Sequence, residues 1–277
     1  MSIRSFYWEA TIIDPIRFFI KRKVLNRGWG SFRYGNAGDI FARNLLEYFY
    51  PGEQIIVCNR EDSPKLITVG SVAQCSASGD ILCGSGCKSP ALPSVEGKQP
   101  WAHSLRGPLS LEACRKAGFD VSDVAYLADP GLLISKFVEP IKPVPNRVIF
   151  IPHYRERRAV LPDIPAGIKF VDIDARPSDV AREIMKAELV YTSSLHGIIF
   201  SHALGRPCVQ VRPQTEEPSF KYQDYFLSMN LEMPVPADNI QQAWGAAKPV
   251  SPITLPITPD EITFPSIEHL TESGIRI

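Results

Sequence analysis

Residues 189–204 read LVYTSSLHGIIFSHAL, and residues 205–211 continue GRPCVQV. Leu189 to Thr192 is a short run suited to a buried strand, and it ends in three hydroxyls, Thr192, Ser193 and Ser194. A helix is predicted over His196 to Leu204, and a second strand over Cys208 to Val211. Strand, helix and strand in so few residues favour a parallel sheet with helices on its faces.

The same alternation extends outward in both directions. Val148 to Ile151 and Ile168 to Ile173 read as strands, and Pro177 to Ala187 as a helix. The first half offers strands at Ile55 to Cys58, Leu66 to Val69, Ile81 to Cys83 and Val124 to Leu127. Pro108 opens a helix with Leu109, Ala113 and Ala117 on one face and Gly118 as its stop. Between the halves, SKFVEPIKPVPNR at 135–147 holds three prolines and reads as a linker. Prolines recur after Met233, which predicts an extended surface tail with a short helix near Gln241 to Ala247. The fold expected is α/β, with two Rossmann-like domains, 1–140 and 141–235, facing a cleft, followed by a Pro-rich tail, 236–277. A ligand belongs at the carboxyl ends of the strands.

With 277 residues and 44% hydrophobic content the chain can bury a sizeable core, which excludes global disorder. Thirty basic and thirty acidic side chains cancel, so no overall field recruits nucleic acid, and any anion needs a local site. Cys58, Cys75, Cys83, Cys87, Cys114 and Cys208 lack the spacing of a secreted disulfide scaffold, and no signal peptide precedes them. A cytoplasmic location is therefore expected. Cys83 and Cys87 have no second pair to complete a zinc site. No stretch approaches the ~20 apolar residues of a membrane span. Thr11 to Arg27 joins Ile12, Ile13, Ile16, Phe18, Phe19 and Ile20 to Lys21, Arg22, Lys23 and Arg27. It reads as a helix packed on its own domain or as a peripheral anchor on the inner face of a membrane.

Five loops can carry chemistry. Gly35-Asn36-Ala37-Gly38-Asp39 precedes a helix with Phe41, Leu45, Leu46 and Phe49 on its apolar face. Its glycines admit a ligand and its amides attract an anion, with Asp39 alternatively the N-cap. Gly84-Ser85-Gly86 follows an apolar strand and permits close backbone approach. Arg106, delivered by a strand just before Pro108, can grip a carboxylate or phosphate with two donors. His153 ends the strand from Val148, with Arg155 beside it. His196 stands at a helix start, where free amides disfavour a permanent positive charge and leave it able to move a proton near neutral pH. His202 is packed or exposed. Turns, caps and surface arginines produce each of these patterns too, so no single loop decides the function.

Their order is more specific. Asn36 to Asp39, Gly84 to Gly86, Arg106 to Pro108, Asp129-Pro130, Pro152 to Tyr154, Ser193 to Gly197 and Phe220 to Tyr225 together resemble the polysaccharide pyruvyl transferase family. Within it they resemble the ketal-pyruvate transferases of bacterial exopolysaccharides. The resemblance implies a GT-B-like pair of domains and a reaction without metal or redox cofactor, with phosphoenolpyruvate as donor substrate. The acceptor would be a lipid-linked oligosaccharide or polysaccharide. His196 would protonate the enol carbon, with Asp39 or His153 assisting. Asn36, Gly38, Gly84, Ser85, Gly86, Arg106, Ser193, Ser194 and Lys221 would bind substrate. Ser194 stands where many members of the wider family carry arginine, so Arg106 or Lys221 would supply the cation, or the anion would be held differently. Two other functions fit the same cleft: nucleotide-sugar transfer by a GT-B glycosyltransferase, and polysaccharide binding without catalysis.

Overall fold

The structure is a computed structural model that describes residues 1–9, 32–157, 160–246 and 250–277. The segment Thr11 to Arg27, read above as a packed helix or membrane anchor, lies outside the described residues.

Six strands form the first sheet: β1 (Ser2–Phe6), β2 (Gln54–Val57), β3 (Leu66–Ile67), β4 (Ile81–Ser85), β5 (Trp101–Leu105) and β6 (Tyr126–Leu127). They pair in parallel in the order β2-β1-β3-β4-β5-β6. The second sheet, also parallel, holds β7 (Val148–Ile151), β8 (Ile168–Phe170), β9 (Leu189–Thr192) and β10 (Cys208–Gln210) in the order β10-β9-β7-β8. Helices flank both: α1 (Ala37–Phe49), α2 (Pro108–Lys116), α3 (Pro177–Lys186), α4 (Leu195–Ala203), α5 (Phe220–Ser228), α6 (Ile240–Gly245) and α7 (Ile267–Glu272). The chain winds one way from β1 to β2 and the other from β3 onward. It reverses again between β7 and β9. Each reversal opens a crevice at the carboxyl ends of the strands, because neighbouring loops there diverge to opposite faces.

The two sheets are separate, yet the apolar core runs through both halves. Ile3, Phe41 and Leu45 belong to the same buried cluster as Ile151, Ile184 and Phe200. Helix α1 makes this junction: Phe41 meets Phe200 edge-on at 5.6 Å and Phe137 at 5.0 Å. Its entry loop is tied to the second half. The Asp174 carboxylate accepts the amides of Arg33, Tyr34 and Gly35, and the Ala37 amide donates to the Ile173 carbonyl at 2.8 Å. This is why β8 is shorter than the sequence suggests: residues after Phe170 go on to hold α1.

Two further expectations change. Ser135 to Phe137, placed in the linker, close a 3₁₀ helix (Pro130–Phe137) that Asp129 caps. The C-terminal segment also does not remain on the surface. Ile262, Phe264, Leu270 and Ile275 are buried, and Phe264 stacks on Phe49 at 4.2 Å. The last residues bond to β1, with the Ser2 amide 2.7 Å from the Ile277 carbonyl. All six cysteines are free thiols, five of them buried. No described helix is long and apolar enough to cross a membrane.

Candidate active site

Loops from both topological reversals line one cavity of about 180 Å³. From the first sheet come Trp8 after β1, and Ser71 and Gln74 after β3. From the second come His153, Tyr154 and Arg155 after β7, and Ser194, Leu195 and His196 after β9. Asn36 and Asp39 reach it from the start of α1, Lys88 from beyond β4, Glu217 from the approach to α5 and Lys221 from its first turn. The amino ends of α1 and α4 thus meet at this cavity. Asn36 caps α1 by accepting the Gly38 amide, which corrects the reading of Asp39 as N-cap; Asp39 lies in the first turn. Ser194 makes no side-chain cap on α4, so the positive end of that helix remains available to a ligand.

His196 is 5% exposed and lies against Gly38, where a Cβ would sit 1.9 Å from its ring atoms. No larger residue fits at position 38 with the imidazole in this place. The Nδ1 atom is 4.0 Å from Asp39 Oδ1, while Nε2 is buried without a hydrogen-bond partner among the described residues. Burial, reinforced by Arg106 and Lys221, pushes the His196 pKa down to about 3. Burial raises Asp39 to about 7, against the pull of Lys221 and Lys88. At neutral pH the imidazole is therefore uncharged, and Asp39 beside it is the group poised to exchange a proton.

A second layer of charge lies opposite. The Glu217 carboxylate takes Lys221 Nζ at 2.7 Å and Arg155 Nη1 at 2.9 Å, and its Oε1 is 3.7 Å from His153 Nε2. Burial alone would raise Glu217, but these cations outweigh it and hold its pKa below the usual range. Burial lowers Lys221, with Glu217 resisting. His153 is pushed down to about 3 by burial and then by Lys221, and its Nδ1 has no partner among the described residues.

The structure brings Asn36, Gly38, Asp39, His153, Ser194, His196 and Lys221 together around this cavity. It does not bring Gly84, Ser85, Gly86, Arg106 or Ser193 to its lining. Ser193 accepts the His153 amide at 2.8 Å and bonds to the buried Glu156, so it fixes the two loops to each other. Arg106 is fully buried behind the wall. Its Nε donates to Asp224 at 3.0 Å, Nη1 to Ser71 Oγ at 2.7 Å and Nη2 to the Cys87 carbonyl at 2.8 Å. The Gly84–Gly86 stretch packs there too: a Cβ on Gly86 would lie 2.2 Å from the Arg106 guanidinium carbon. Glu217, Lys88, Ser71 and Asp224 were not foreseen. The Glu217–Lys221 pair has an i,i+4 charge spacing that marks it in the sequence. Ser71 and Lys88 carry no such mark, because the sheet register brings them here. Among the described residues, no group of three or more His, Cys, Asp or Glu side chains stands together as metal ligands would.

Residues 98–213 match the family model described as polysaccharide pyruvyl transferase. That span includes Arg106, His153 and Ser193 to Gly197, and ends before Glu217 and Lys221. The chain is 29% identical over 209 residues to an uncharacterised protein of Acanthamoeba polyphaga mimivirus, an alignment covering 71% of this chain and 72% of that protein. It is likewise 29% identical over 209 residues to the succinoglycan biosynthesis protein ExoV of Rhizobium meliloti, covering 71% of this chain and 62% of ExoV.

Proposed function

Starting from a chain related to the polysaccharide pyruvyl transferases, we propose that it transfers pyruvate from phosphoenolpyruvate to a pair of hydroxyls on a hexose of an exopolysaccharide precursor. The product is a cyclic ketal, and phosphate is released. The observation that carries this reading is the placing of buried His196 beside Asp39, whose carboxyl is raised toward neutrality, inside a cavity ringed by cations and helix amino ends. Such a site attracts a small multiply charged anion and holds a proton beside it.

Lys221, Lys88, Arg155 and the α4 amides bind the phosphate and carboxylate. Asp39 gives its proton to Nδ1 of His196, and the imidazolium gives the Nε2 proton to the methylene carbon. The 4.0 Å separation of the pair shortens as the donor's negative charge favours the imidazolium. The neighbouring carbon becomes oxocarbenium-like and a sugar hydroxyl attacks it, passing its proton to the Asp39 carboxylate or His153. The carbon–oxygen bond to phosphate then breaks, and the second hydroxyl closes the ketal, its proton leaving with the phosphate. We read the two sheets as a GT-B-like pair, with residues 141–235 on the donor side and 1–140 on the acceptor side. The acceptor is a lipid-linked oligosaccharide, met in the cytoplasm or at the inner membrane face.

Thermal shift separates this reading from nucleotide-sugar transfer. Phosphoenolpyruvate is expected to raise the melting temperature, and UDP- and GDP-sugars to leave it unchanged. A shift with a nucleotide sugar and none with phosphoenolpyruvate would replace pyruvyl transfer with glycosyl transfer.

A further inference from the structure

The strongest unexplained feature outside the proposed chemistry is the buried arginine behind the cavity wall. Arg106 is fully buried, and each of its three guanidinium nitrogens donates to a protein acceptor. Its partner Asp224 also receives the Ser110 amide at 2.9 Å and the Ser110 hydroxyl at 2.5 Å. The layer is closely packed: Gly86 lies against the guanidinium, and Asp224 is pressed against Gly107, where a Cβ would be 2.1 Å from the Asp224 carbonyl oxygen. One of its contacts nevertheless reaches the cavity, because Ser71 is on the lining.

Ser71 Oγ accepts from Arg106 Nη1 at 2.7 Å. A hydroxyl has one proton to give, and with a lone pair committed to a cation its O–H is directed elsewhere and made a stronger donor. No described residue accepts that proton. The loop carrying Ser71 is itself fixed: the Gly86 amide donates to the Gly70 carbonyl at 2.9 Å, the Ala73 amide to the Gly86 carbonyl at 3.1 Å, and the Gln74 side chain to the Ser71 carbonyl at 2.8 Å. Asp39 is adjacent, since a Cβ on Gly70 would lie 3.2 Å from Asp39 Oδ1.

We propose that Ser71 is a donor to an anionic oxygen of the ligand, and that Arg106 is a positioning residue that acts on the ligand through Ser71 rather than by touching it. Gly86 serves the same end by leaving space for the guanidinium. This inference rests on the reading of the cavity as a phosphoenolpyruvate site. Inorganic phosphate, as a second probe, keeps the two separable.

The test is a double-mutant cycle on donor affinity. Ser71→Ala is expected to weaken phosphoenolpyruvate and phosphate about ten-fold, in KM more than in kcat, and to lower the ligand-free melting temperature by a few degrees, because Arg106 Nη1 loses its acceptor. Ser71→Thr, which keeps the hydroxyl, retains most of the affinity. Arg106→Lys weakens binding in the wild-type background but costs nothing further when added to Ser71→Ala. Additive losses would put Arg106 on the ligand itself, and unchanged affinity in Ser71→Ala would remove Ser71; either overturns the proposal. If Arg106→Lys does not fold, the two Ser71 variants still decide whether Ser71 binds, and a full-strength Ser71→Ala still overturns it. Wild type shifted by phosphate but not by phosphoenolpyruvate sinks the pyruvyl reading and leaves the Ser71 test in force, whereas no shift with either sinks both.

Discussion

Asp39 connects protonation to both stability and turnover. Its carboxyl is raised to about 7 in the folded chain, against roughly 3.9 for an unperturbed aspartate. Below the lower value it is protonated folded and unfolded alike. Between the two, the unfolded chain gains by ionising and the folded chain does not, so the stability this group contributes is lost as pH rises through about 7. Asp39→Asn should therefore be more stable than wild type at pH 8, by up to about 4 kcal/mol, and equal to it near pH 4. Wild-type turnover should fall above about pH 7 as the donor loses its proton. The variant should lose that alkaline limb together with about 10² to 10⁴ of the rate. Melting curves at the two pH values and a pH–rate profile check both, and an unchanged limb in Asp39→Asn would assign the proton elsewhere. At this scale the sequence was legible where type and position coincide: a histidine after a hydroxyl-rich strand end lines the cavity, and Gly38 is small because that histidine needs the space. Arg106 shows where this fails. Its place at a strand end was readable, but which side of the wall its side chain takes depends on the pleat and on Asp224, 118 residues away.

Helix α5 sends successive residues to different neighbours. Lys221 reaches the cavity, Tyr222 Oη donates to the Ser193 carbonyl at 2.7 Å, Asp224 holds Arg106 and Ser110, and Tyr225 Oη lies 2.9 Å from His202 Nδ1. One helix thus fixes the β9–α4 loop and the Arg106 layer while presenting a cation. The sequence reading noticed the motif but not the helix, because buried Lys221 and Asp224 interrupt the apolar spacing that would mark one. Two substitutions three residues apart should behave oppositely. Asp224→Ala strands a buried guanidinium and should cost about 3 to 5 kcal/mol in denaturant unfolding. Lys221→Met leaves Glu217 its Arg155 partner and should cost far less, while lowering phosphoenolpyruvate affinity about ten-fold or more. Comparable stability losses in both would mean that the helix does not divide the roles in this way.

For the whole molecule, short apolar strands alternating with helices were enough to read two parallel sheets, since central strands such as β4 are buried on both faces and carry their signal locally. What joins the sheets was not readable. Helix α1, the Asp174 carboxylate and the returning C-terminal segment act across long separations, and a proline-rich tail gives no periodic sign that Phe264 will stack on Phe49. The cavity exists because both topological reversals point at each other across this shared core, so it needs both halves. In the proposed reaction His196, so placed, carries a proton to the donor's carbon. The direct measurement is mass spectrometry of a lipid-linked oligosaccharide incubated with phosphoenolpyruvate, with phosphate release followed in the same sample, for wild type and His196→Gln in parallel. Wild type should add one pyruvate ketal per phosphate released, and His196→Gln should fold, bind the donor and turn over about 10² to 10⁴ more slowly. Near-normal turnover in a folded His196→Gln, or a wild type that neither modifies the acceptor nor releases phosphate, would contradict it.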